Sequence, residues 1–149
     1  MATATSTRRR VPAHSSARAN RRIRQPTNDR VGRLAGHPTR IAARLRELDR
    51  EWDVERAIEA NAASLALVGL ALGLIHDRRW MALPVLVSGF LLQHAVQGWC
   101  PPVPVLRALR FRTADEINEE RVALKTLRGD FTGLQDNPER ALQAARSMT

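Results

Sequence analysis

The only cysteine, Cys100, stands in Gln97-Gly98-Trp99-Cys100-Pro101-Pro102, the most specific stretch of this 149-residue chain. A lone thiol followed by prolines that stop a helix could serve persulfide or sulfur transfer, reversible acylation, or haem ligation through the Cys-Pro pair. Each role needs a neighbour that activates the thiol or completes a ligand set, and none stands nearby in the sequence. The plainer role is a small residue packed at a helix end. A single cysteine also excludes an intramolecular disulfide framework and a CxxC metal or redox pair.

Upstream, Gly89, Gln93 and Gln97 recur at helical spacing, with Ser88 adjacent and His94 starting a neighbouring row. Amides in an apolar helix seek hydrogen-bond partners, so this row predicts contacts between helices. A lone histidine without a carboxylate or second ligand beside it is a weak proton or metal site. The sequence has no Gly-rich phosphate loop, no triad spacing and no metal-ligand cluster. The expectation is a non-enzyme with no catalytic residue, no metal and no cofactor.

The elements that position these groups are apolar. The mean hydropathy of the chain is that of a soluble protein, but the apolar residues are concentrated between Ala57 and Trp99. Ala60 to Ile75 contains no charged residue, a run of 16 that falls short of the ~20 needed for a bilayer core. Including Ala57 to Glu59, with Glu59 at the headgroups, gives a span over 57–75, roughly 28 Å at 1.5 Å per residue. His76 to Arg79 make a polar turn, and a second span follows over 80–99. Pro84 lies near its start, where a missing backbone donor costs little. Trp80 and Trp99 bracket that span about 28 Å apart, the separation expected of two interfacial indole belts; Trp52 is a third interfacial anchor. The competing arrangement is a soluble bundle with both runs in its core, but neither run has a polar stripe wide enough for a surface helix.

Ala62, Ala66, Gly69 and Gly73 lie at i, i+4, i+7 and i+11, a small-residue groove with a GxxxG step. Such a groove lets backbones approach, either in a homodimer or against the second helix of the same hairpin. Flanking arginines set the orientation. Arg40, Arg44, Arg46, Arg50 and Arg56 precede the first span and Arg107, Arg110 and Arg112 follow the second, against Arg78 and Arg79 in the turn. By the positive-inside rule both termini are cytoplasmic.

Residues 1–36 hold nine arginines and one aspartate, eight of the nine net positive charges of the chain. With few large apolar residues this tail is expected to be disordered. Its charge attracts polyanions, either anionic headgroups or nucleic acid. No aromatic residue precedes Trp52, which disfavours stacking-based nucleic-acid recognition. The Arg- and Ser-rich opening also mimics a mitochondrial transit peptide, although a disordered bacterial tail fits it better. An amphipathic helix over 37–56 follows, with Ile41, Leu45, Leu48 and Trp52 on one stripe, approaching the membrane. Beyond the second span, 100–149 reads as a helical cytoplasmic tail. Thr113 to Glu116 form a capping box opening a helix that Gly129 stops, and Asn137-Pro138 resembles a further helix start.

Asn61 in the Gly-rich first helix, the turn Asp77-Arg78-Arg79-Trp80, and Gly98-Trp99-Cys100-Pro101 followed by Leu106-Arg107 resemble the YgaP-like transmembrane-domain family, over roughly 55–112. These are small bacterial inner-membrane modules that also occur fused to a rhodanese domain. The resemblance implies a helical hairpin, often self-associating, with no established activity for stand-alone members. It places Cys100 at the family's membrane-edge cysteine position. No rhodanese loop is present, since Val105 and Leu106 stand where a C-x-x-x-x-R loop from Cys100 would need its arginine, so sulfurtransferase activity is not implied.

The sequence thus predicts an all-α protein, a two-helix transmembrane hairpin with amphipathic cytoplasmic helices on both sides. Its expected role is an inner-membrane anchor or self-associating interaction module, with a redox or sulfur relay through Cys100 as the alternative. The expected partners are a bilayer with anionic headgroups, a second copy of the chain and a cytoplasmic protein.

Overall fold

A computed structural model of the chain describes residues 10–133 and 138–146. The described residues form helices α1 (Arg10–Ala13), α2 (Ala17–Leu34), α3 (Pro38–Leu48), α4 (Val54–Ile75), α5 (Ala82–Gln97), α6 (Pro102–Ala108), α7 (Ala114–Arg128) and α8 (Pro138–Arg146). No strand occurs among them, so the all-α expectation holds. The chain divides into two compact units. The first comprises residues 1–21 and 52–113, the second 22–51 and 114–149.

In the first unit α4 and α5 form an antiparallel hairpin. The Asp53 side chain caps α4 by accepting from the Arg56 backbone N–H at 2.6 Å. A 3-10 turn over Arg78–Met81, capped by Asp77, leads into α5. Both helices are long and apolar enough to cross a membrane, the second counted together with its 3-10 turn. The second span is therefore not one helix over 80–99. It starts as the 3-10 turn and stops at Gly98, which takes a left-handed φ of 73° that a side chain would disfavour. The chain segments entering and leaving the hairpin are joined where the Val54 N–H donates to the Arg112 carbonyl at 2.9 Å. Beside this junction Val11, Val54, Ile58, Cys100 and Val103 make a small apolar core.

Arg107, one of the arginines that follow the second span, is buried in this unit. Its guanidinium donates to Asn20 Oδ1 at 2.8 Å and to the Phe111 carbonyl at 3.2 Å. Asn20 in turn donates to the Pro12 carbonyl. A buried guanidinium needs such acceptors, because its charge cannot be left unsolvated.

In the second unit Ile41, Leu45 and Leu48 of α3 pack on Ile117 and Leu124 of α7, with Val31 and Leu34 of α2 at the edge. Two expectations are corrected here. The amphipathic helix does not run over 37–56, because it ends at Leu48 and the Asp53 cap starts a new helix. Trp52 is thereby excluded from its stripe. The stripe faces α7 instead of lipid, and the apolar side of α7 is spent on it.

The third correction concerns the N-terminal tail. Residues 1–9 lie outside the described residues, but 17–34 are helical and not disordered. Arginine and alanine are good helix formers, and Ser16 Oγ accepts from the Ala19 N–H to cap the start. One apolar row, Ile23, Val31 and Leu34, finds burial that composition alone did not reveal. In the C-terminal part α7 starts at Ala114 and ends before Gly129, where φ is 86°, in line with the capping box and the stop. α8 starts at Pro138; Asn137 lies outside the described residues.

Candidate functional site

The groove of small residues is filled from within the hairpin. Ala62, Gly69 and Gly73 are buried and Ala66 is half-buried. A Cβ placed on Gly69 would lie 2.6 Å from Pro84 Cδ and 3.0 Å from Leu83 Cβ, and one on Gly73 would lie 2.6 Å from Met81 Sδ. The proline ring and a leucine Cβ cannot swing aside, so the helices are close only because residue 69 has no side chain. Gly69→Leu is expected to lower the thermal stability of the purified protein by about 1–3 kcal/mol, the cost of overpacking. Gly89→Leu is expected to change stability little in a detergent melt, since a Cβ there meets nothing within 4 Å.

That contrast corrects the expected packing role of the second row. α5 meets α4 through Leu83 and Pro84, with Val87 and Leu91 lining the cleft beside Ala62 on the same side of the helix, while Gly89 and Gln97 are exposed and Gln93 is half-buried. Neither glutamine side chain makes a hydrogen bond among the described residues, and His94 Nδ1 is buried without one. The amide row therefore does not join the two helices of the hairpin. Trp80 and Trp99 are exposed, and so is Trp52, whose ring lies 4.5 Å from the Arg56 guanidinium carbon in a cation–π contact.

Where α5 leaves the hairpin, a cleft of about 200 Å³ opens between the helices. Ile58, Ala62, Leu65, Phe90 and Leu91 give it apolar walls, Asn61 a polar one, and Cys100 closes it with Pro101 and Pro102. Cys100 is only 2 % exposed and sits in the apolar core with Val54 and Val103. Burial pushes its thiol pKa up, against a weaker lowering by its backbone hydrogen bond with Val103. Burial disfavours the thiolate, the form that attacks disulfides or accepts persulfide sulfur. Cys100 accordingly occupies the position of a packing residue. Its alkylation by iodoacetamide in the folded protein at pH 8 is expected to be slower than in the denatured chain by about tenfold or more. Mass spectrometry of the modified peptide checks this, and the rate should climb further as pH rises above 8.

The second unit holds a charged cluster that sequence reading missed. Glu120 of α7 is fully buried, and Arg30 Nη1 donates to both of its carboxylate oxygens at 3.0 Å. Arg44 donates to the same two oxygens from Nε at 2.9 Å and Nη2 at 3.3 Å. Arg44 also reaches Glu47 at 2.9 Å and Glu51 at 3.4 Å. Burial opposes its charge, but the hydrogen bonds to Glu120 and Glu47 outweigh that and raise its pKa further. A surface pair, Arg121 to Asp49 at 2.9 Å, lies on the next residue of α7. One signal was available: Glu120 falls between Ile117 and Leu124 on the helical row that must be buried, so an acid there requires a cation. The identity of that cation was not readable, since nine arginines crowd the first 36 residues.

Among the described residues no three His, Cys, Asp or Glu side chains are grouped so as to hold a metal ion. Comparison with protein-family models, with curated proteins and with solved structures found no match. The resemblance to the YgaP-like family rests on the residues that carry it alone.

Proposed function

We propose that this chain is a membrane-anchored interaction module: α4 and α5 cross a bilayer as a hairpin, and the helical unit of α2, α3, α7 and α8 is displayed on the cytoplasmic side for a protein partner. The observation that carries this reading is an inversion of the usual burial order. The most apolar helices of the chain leave their large side chains outside, with Leu67 67 %, Ile75 82 %, Val85 73 % and Leu92 67 % exposed. The core helix of a water-soluble protein would bury such residues. Soluble monomers rarely present contiguous apolar surface of more than a few hundred Å², whereas lipid tails solvate it at no cost. Helical hydrogen bonding of the backbone meets the other demand of a bilayer core.

Eight flanking arginines against two in the turn support cytoplasmic termini. The YgaP-like resemblance supports the inner membrane of a bacterium as the location. Self-association, where it occurs, uses a face other than the Gly69–Gly73 groove, because Leu83, Pro84 and Met81 occupy that groove within one chain. The burial of Cys100 speaks for an anchoring role and against a sulfur relay. Membrane fractionation tests the proposal. The chain should stay in the pellet after carbonate and high-salt washes and leave it only with detergent; release by carbonate alone overturns the hairpin reading.

A further inference from the structure

The outward face of α2 carries Arg18, Arg21, Arg22 and Arg33, all exposed, and none of them is in an ion pair among the described residues. At 100° per residue these four lie within about a third of the helix circumference, and Asp29 is the only acid among them. The arrangement is unfavourable for an isolated helix. Arg18 and Arg22 repel one another at i, i+4. The first turn contains no acid, so the arginines of the first two turns also add to the positive end of the helix dipole. The opposite side of α2 is already used, since Ile23 is buried and Arg30 holds Glu120. α2 therefore has no apolar face left to insert into lipid, and whatever meets its free side is bound by charge.

We propose that this arginine face of α2 binds the anionic headgroups of the bilayer that holds the hairpin. The inference rests on the membrane reading above. α2 precedes α4 on the same chain, so tethering gives α2 a high effective concentration of headgroups. A negative surface relieves both the mutual repulsion and the dipole conflict. Nucleic acid offers the same phosphate chemistry, but no aromatic side chain accompanies the arginines to stack on bases.

The test uses the whole chain reconstituted in phosphatidylcholine vesicles, alone or with about one-third phosphatidylglycerol, and follows modification of single arginines by phenylglyoxal with mass spectrometry. Arg18, Arg21, Arg22 and Arg33 should react about fivefold more slowly in the anionic vesicles, the factor matching the ~1 kcal/mol that one arginine gains near such a surface. High salt should abolish the difference. Arg30, shielded by Glu120, should stay slow in both vesicles and so report that α2 remains docked. Equal rates in the two vesicles, with the chain floating with both, overturn this inference and leave the hairpin standing. Failure to float with neutral vesicles overturns both. Stronger protection of the four arginines by a soluble oligonucleotide than by phosphatidylglycerol reassigns the face to nucleic acid and overturns the lipid assignment.

Discussion

Glu120→Ala is expected to destabilise the second unit by about 3–5 kcal/mol, the range for removing one partner of a buried ion pair. The substitution leaves Arg30 without its carboxylate and Arg44 with only Glu47 and the more distant Glu51, so a part-buried guanidinium loses the acceptor that compensates its desolvation. It also removes the group that ties α2 and α3 to α7. Hydrogen exchange in the detergent-solubilised protein should show the loss in α2, α3 and α7 together, while α4 and α5 keep their protection. The combined replacement Arg30→Met, Arg44→Met, Glu120→Leu should recover much of the stability, since an apolar substitute for a whole buried cluster is often neutral or better. A melting temperature for Glu120→Ala within a degree of the wild type would show that the cluster contributes nothing to holding these helices.

Leu67→Arg should separate lipid from water as the medium around α4 more sharply than any other single change. Leu67 is near the middle of the span and 67 % exposed. On the surface of a water-soluble protein an arginine at so exposed a position would change stability by no more than about 0.5 kcal/mol, and would improve solubility. At the centre of a membrane helix it costs about 2.5–3.5 kcal/mol of insertion free energy. The expected result is a fall of tenfold or more in the membrane-inserted fraction, measured by carbonate-resistant protein relative to total synthesis. Arg56→Ala, at the edge of the same helix, is the control and should leave insertion unchanged. A Leu67→Arg protein that accumulates normally and stays in the pellet would refute a lipid-facing α4.

The legible parts of the fold were those decided by neighbours in the chain. The charge-free runs, the polar turn at His76 to Arg79, the capping box before α7 and Gly129 after it all follow from spacing within a few residues. Span membership is additive along a segment, so residues Ala60 to Ile75 declare their preference for an apolar medium without reference to the rest of the molecule. The GxxxG step was legible in the same way, as a surface that admits a close neighbour.

Which neighbour it admits was a tertiary matter. Pro84 and Leu83 occupy the groove because the turn returns α5 along that side of α4, and the same rotation carries Gly89 and Gln97 to the outside. α2 was misread as disordered because its burial depends on partners supplied by α3 and α7. Arg30 and Arg44 reach Glu120 across 90 and 76 residues of chain, and no local pattern distinguishes them from the arginines that stay free. Sequence alone thus determined which segments are long and apolar enough to cross a membrane and where turns and caps can bound a helix, since those free energies are sums over adjacent residues. Tertiary structure alone decided which charges are buried and which helix faces are taken, because a buried charge is tolerable only where a specific distant side chain arrives to meet it.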